Sequence, residues 1–210
     1  MGTVLLMLRG TPFIYEGEEL GYTNVAWPSI DDYNDLNAHS QYQTALDEGR
    51  SQAEAMDYIH RYSRDNARTP MQWNGEENAG FTAGTPWMPV HPDYKTQNAE
   101  GELANPLSVL AWYVTLVDFR KNNAVIIDGD YAEIDAASEQ VYAFTRENED
   151  EKILVAVNFT GDTVMPDLSG AGLEDASHAR ILLSSYTDIS ASAARADLLR
   201  PYEAIVVRIR

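Results

Sequence analysis

Cysteine is absent from all 210 residues, which excludes disulfides and thiolate chemistry and fits a cytoplasmic protein. Positive charge is scarce: 15 Lys and Arg stand against 33 Asp and Glu, a formal charge of −18. Such a balance repels polyanions. Nucleic acid and anionic membrane surfaces are therefore not expected partners, whereas a neutral sugar is compatible. Long apolar runs are also missing. The run over residues 4–8 is too short to cross a bilayer, with no basic residue before it and no small-residue cleavage site after it. No membrane or targeting segment is expected.

The usual cofactor and metal signatures are lacking as well. His39, His60, His91 and His178 are scattered singly, without the spacing of a metal pair on one helix. The acidic "DDYND" at residues 31–35 lacks the glycine and distal glutamate of a calcium loop. There is neither a glycine-rich phosphate loop nor a nucleophile elbow. No metal and no cofactor is expected.

What is present is a chain of two textures, 44% hydrophobic and able to form a substantial core. Residues 1–9 read as a core helix that opens abruptly, as an element of a larger fold would. Gly10-Thr11-Pro12 punctuates, and "FIYEG" reads as a short buried strand ending at Gly17. Residues 18–35 read as loop. Helical patterns follow over 34–49, with Gly49 as stop, and over 51–68, with Ser51 as N-cap and Ala55, Ile59 and Tyr62 on one face. Residues 70–106 hold most of the nine prolines together with Trp73, Phe81 and Trp87, an ordered irregular excursion. "LSVLAWYVTLVDFRKNN" reads as an amphipathic helix with Leu107, Leu110, Val114 and Val117 on its apolar side.

From about residue 124, "AVIIDGDYAEI", "QVYAFTRE", "KILVAVNFT", "ARILLSSY" and "YEAIVVRIR" are strand-like runs separated by turn formers. Their spacing predicts a small antiparallel sandwich. The domain division is placed accordingly, 1–122 and 123–210.

Two stretches could carry chemistry. In "RDNARTPMQW", residues 64–73, Arg64 and Arg68 share one face if the helix runs to Thr69. Arginine offers a rigid planar fork of donors, suited to a carboxylate or to sugar hydroxyls. The structural alternative is that both cap a helix end and pair with surface acids. In "GTPFIYEGEELG", residues 10–21, Glu16, Glu18 and Glu19 cluster after the predicted strand. Such carboxylates could act at the top of an α/β barrel or simply hold a turn.

Taken with "NVAWPSIDDY", "NAGF", "LVDFRKNN", "LVAVNFT" and "LRPYEAIVVRI", these strings resemble the family 13 glycoside hydrolases of the α-amylase superfamily. The oligo-1,6-glucosidase and α-glucosidase branch is the most similar, and the resemblance covers essentially the whole chain. It implies an α/β plus all-β fold: residues 1–122 as the C-terminal segment of a (β/α)8 TIM barrel, with strand 8, inserted loops and helices, and the last helix. Residues 123–210 would form the antiparallel β-sandwich C-terminal domain.

The resemblance also implies a retaining glucosidase that takes terminal glucose from α-gluco-oligosaccharides. The family's three catalytic carboxylates follow barrel strands four, five and seven. The matched region comes after them, so no catalytic residue is expected in this chain, and it is expected to be inactive without the missing N-terminal barrel portion. Residues carried over as substrate-binding are Arg64 at the pocket base, Arg68 as a supporting or aglycone-side contact, and Asp32, with Asp31, beside the aglycone. Alternatives are a fragment of a trehalose-6-phosphate hydrolase or sucrose isomerase, or a non-catalytic sugar-binding remnant. Apolar residues 3–8 and 13–15 are expected to be bared in the chain alone.

Overall fold

The computed structural model describes residues 1–173, 179–188 and 198–210, so His178 lies outside the described residues. In chain order the helices are α1 (Gly2–Met7), α2 (Leu36–Asp47), α3 (Gln52–Tyr62), α4 (Ala99–Ala104), α5 (Val109–Asn122) and α6 (Ala124–Asp128). Strands β1 (Asp130–Ile134), β2 (Val141–Glu147), β3 (Lys152–Asn158), β4 (Arg180–Ser184) and β5 (Ala204–Arg208) follow. The chain divides into two compact units, one of Met1–Phe13 with Trp112–Arg210 and the other of Ile14–Ala111. Among the described residues no helix is long and apolar enough to cross a membrane.

In the first unit the β-rich runs form one five-stranded antiparallel sheet in the order β1-β2-β3-β5-β4. Strand alternation sends Ala143, Leu154, Ala156, Ile205 and Val207 to one face, where Val164, Leu168 and Leu199 cover them. The opposite face presents Phe144, Ile153, Val155 and Val206 to Leu6, Met7, Tyr113, Leu116, Val125 and Ile126. The antiparallel all-β domain expected from the sequence is therefore present, and helices complete one of its cores.

Several local expectations are corrected. Residues 3–8 are not bared: Leu6 and Met7 are buried under the sheet. Residues 124–128 form helix α6 rather than the start of a strand. On α5 the buried residues are Tyr113 and Leu116, while Leu107 precedes the helix and Val114 is 61% exposed. The side chain meeting the sheet is set by tertiary packing, and a helix apolar nearly all round does not announce its inner face. "FIYEG" forms no strand: among the described residues no strand hydrogen-bonds to it, and Phe13 is 83% exposed.

Arg146 on β2 fixes how α1 and α6 meet the sheet. Its guanidinium is fully buried, and Nη1 donates to Met7 O (3.0 Å) and Ile126 O (2.6 Å) while Nη2 donates to Gly129 O (2.7 Å). These carbonyls lie at or near the C-terminal ends of α1 and α6, where helix carbonyls lack partners. Arg120 acts alongside, with Nη1 donating to Leu6 O and Leu8 O. Burial pulls the Arg146 guanidinium below its ordinary value, with Arg120 and Arg9 adding to the effect, yet arginine stays charged. Among the described residues no carboxylate pairs with it within 4.0 Å. Arg146→Leu should therefore strand three buried carbonyls and lower stability by about 3–5 kcal/mol, read as a drop in the urea midpoint. A change under 1 kcal/mol would contradict this role.

Candidate functional site

The second unit builds its site from the end of α3. A serine at a helix end can bond to nearby backbone in a non-helical conformation. Ser63 is extended and its Oγ accepts from Asp65 N at 3.2 Å, so α3 stops there and a 3₁₀ turn, Arg64–Ala67, begins. The predicted helix through Thr69 is thus cut short at Ser63, and Arg64 and Arg68 do not share an α-helical face. The turn sends Asp65 inward, while Arg64 is exposed.

Asp65 has no accessible surface. Its Oδ2 accepts from Asn34 N (2.7 Å) and Asp35 N (2.8 Å), tying down the segment that leads into α2. Asp35 in turn caps α2 by accepting from Asn37 N. The other oxygen, Oδ1, lies 3.6 Å from Arg68 Nη1, and Asp35 Oδ1 lies 3.9 Å from the same nitrogen. One buried carboxylate therefore sets a loop with one oxygen and aims a cation with the other. Next to it, Asn66 accepts from Val25 N and donates to His60 O.

Arg68 lines a cleft of ≈ 540 Å³, together with Tyr15, Tyr22, Asn24, Phe81 and Trp87. The walls are braced from behind. Tyr15 OH donates to Ala67 O (2.9 Å), Trp87 Nε1 donates to Arg68 O (3.1 Å), and Asn34 Nδ2 donates to Trp87 O (2.8 Å). Tyr22 OH accepts from Gln72 N at 2.6 Å, and burial pushes its hydroxyl up to about 12, so it is neutral at physiological pH. His91 pairs with Asp93 and its Nε2 reaches Thr23 Oγ1 at 3.3 Å, behind the cleft wall.

Of the residues singled out from the sequence, the structure brings Arg68 into the cleft. Arg64 is exposed and does not line it. Asp32 closes a capping box with Ser29, its Oδ2 accepting from Ser29 N at 3.3 Å, and also lies outside the lining. Glu16 and Glu18 line the cleft, with Glu18 Oε2 accepting from Tyr15 N, while Glu19 accepts from Gly17 N. His39 and His60 bond to the carbonyls of Tyr33 and Trp27. Sequence reasoning missed Asp65 and Trp87. The available signal for the first was a lone acid between two arginines just after a capping serine.

The cleft draws Tyr15, Glu16, Glu18, Asn24, Arg68 and Phe81 from the strings that carried the resemblance. The family model for the α-amylase catalytic domain matches residues 1–129, and that for the α-amylase C-terminal all-β domain matches 131–193. The chain belongs to glycoside hydrolase family 13, the α-amylase superfamily. The chain is 41% identical to the oligo-1,6-glucosidase of Parageobacillus thermoglucosidasius, across 100% of this chain and 37% of that protein. The crystal structure of Bacillus licheniformis trehalose-6-phosphate hydrolase superposes with a TM-score of 0.88 at 41% identity, over 99% of this chain and 37% of that one. Isomaltulose synthase from Klebsiella sp. LX3 gives 0.87 at 32% identity, over 100% and 37%. The chain thus spans a little over a third of the length of these relatives.

Removing the Asp65 carboxylate leaves the Asn34 and Asp35 N–H groups without their acceptor and takes away one of the two carboxylates that face Arg68. Asp65→Ala is expected to cost about 3 kcal/mol in urea unfolding, because hydrogen bonds to a charged group are each worth roughly 1.5–3 kcal/mol. A loss below about 0.5 kcal/mol, the range of ordinary surface changes, would show that the loop is held by other means.

Proposed function

We propose that the chain forms part of an α-glucosidase of the oligo-1,6-glucosidase type, which removes terminal α-linked glucose from oligosaccharides with retention. The observation that carries this reading is the Arg68 cleft braced by buried Asp65, set in a family 13 chain 41% identical to an oligo-1,6-glucosidase. Neutral sugars suit the site: Arg68 supplies planar donors, and the aromatic walls supply apolar faces. In this reading the nucleophile and acid/base carboxylates lie in an N-terminal barrel portion outside these residues, and the chain alone is inactive. In this reading Arg68 binds substrate from the cleft, and Arg64 and Asp32, which lie outside its lining, are further substrate-binding residues, with Arg64 reaching the terminal glucose from the exposed side. No metal or cofactor takes part. A cysteine-free, acidic chain fits a cytoplasmic enzyme.

The match to trehalose-6-phosphate hydrolase supports a second reading, in which the substrate is a phosphorylated disaccharide. An assay panel of p-nitrophenyl α-glucoside, isomaltose, trehalose-6-phosphate and sucrose separates the readings. The expected result is hydrolysis of the first two only when the N-terminal barrel portion is supplied, with Arg64→Ala lowering kcat/KM at least ~100-fold, as loss of a charged hydrogen bond to the reacting sugar does. Turnover by the chain alone would place catalytic carboxylates within it. Selective turnover of trehalose-6-phosphate would favour the second reading.

A further inference from the structure

We propose that the exposed indole face of Trp87 is the stacking platform for the leaving-group sugar, with the open edge of Arg68 donating to that sugar's hydroxyls. The inference rests on the reading that the cleft binds an α-glucoside, and deepens it to a named surface and a neutral pyranose. A large aromatic side chain left 57% exposed is ordinarily free to reorient. Trp87 is instead held on three sides. Its ring nitrogen donates to Arg68 O, its carbonyl accepts from Asn34 Nδ2, and Phe81 meets it edge-on with centroids 5.0 Å apart.

The loop that brings Phe81 to Trp87 is itself strained. Asn78, Ala79 and Gly80 have φ of 53°, 59° and 65°, three consecutive left-handed residues. Such a conformation is costly for Asn and more so for Ala, and it persists where surroundings fix it. Here Trp73 N and Asn74 N both donate to Ala79 O, and Asn78 Nδ2 donates to Gly84 O. A β-carbon on Gly80 would lie 2.5 Å from Asn74 Oδ1, so the path is closed to other residues there.

The result is a rigid, flat, apolar surface in the same cleft as a planar donor group. Arg68 turns Nη1 toward Asp65 and Asp35, and its Nε and Nη2 make no hydrogen bond among the described residues. A pyranose has the complementary form, with C–H faces for the indole and an edge of hydroxyls for the guanidinium. A plate already ordered before binding loses little conformational entropy on contact. Glu16 and Glu18 on the cleft wall oppose an anionic ring, which leaves a neutral one.

Isomaltose titrated into the ¹⁵N-labelled 210-residue chain tests this directly. The Trp87 indole N–H resonance, assigned through Trp87→Phe, should shift and saturate while that of buried Trp27 stays fixed. Trp87→Ala should weaken isomaltose binding about tenfold, and Trp87→Phe, which keeps a ring, only about two- to threefold. Absence of any Trp87 shift, with or without a shift of the Arg68 Nε–H, would overturn the platform. So would equal affinity of a folded Trp87→Ala variant. Saturable Trp87 shifts in a protein that hydrolyses no α-glucoside, even with the N-terminal barrel portion, would keep the platform and sink the glucosidase reading. Hydrolysis unaffected by Trp87→Ala would do the reverse.

Discussion

The cleft depends on one buried carboxylate. Asp65 sits where no water reaches, and a charge there is tolerable only if fixed dipoles or a counter-ion replace the lost hydration. Two backbone N–H groups do so at Oδ2, and Arg68 faces Oδ1. The arrangement has structural and chemical consequences together. The segment before α2 is pinned at Asn34 and Asp35, and the pinned Asn34 then holds the carbonyl of Trp87. Arg68 is drawn to one side of the cleft with part of its guanidinium left open. Both groups are thus in position before anything enters the cleft, which is how a small set of polar contacts gains selectivity.

Arg146 in the other unit solves the same problem with the opposite sign. It has no carboxylate within 4.0 Å among the described residues, and three backbone carbonyls take that place. Both units therefore use main-chain groups at loop and helix ends to neutralise a buried charge. This kind of pairing orients backbone segments more sharply than apolar packing does, because a hydrogen bond has direction and a methyl contact does not. Deleting either charged side chain would leave unmet groups in the interior, which costs more than the pairs contribute in place.

The sequence was informative where a local rule operates. Strand runs at 141–147, 152–158, 180–184 and 204–208 were legible because β-branched residues lie between turn formers. Ser51 was readable as a cap, and its Oγ does accept from Glu54 N. Rules failed where distant residues decide. Ser63 ends α3 because its hydroxyl is used by Asp65, whose own position depends on a segment some thirty residues earlier. The inner face of α5 could not be read because apolar residues surround it. Residues 124–128 look like a strand by composition, yet they form a helix whose Ile126 carbonyl meets Arg146. In the cleft, Arg68 had been singled out from a family string, whereas Trp87 was noted only as an aromatic in a loop. Nothing in the order of residues 74–87 shows that three left-handed residues would turn Phe81 back against it.

The most direct test of Asp65 as the organising group is native-state hydrogen exchange at the amides of Asn34 and Asp35. Both precede a helix in irregular chain, where amides ordinarily exchange through small local fluctuations. If Asp65 holds them, they should exchange as slowly as the amides within α3, and only when the surrounding unit opens. Exchange at the rate of exposed loop amides would contradict the account and return the shape of the cleft to the packing of its walls alone.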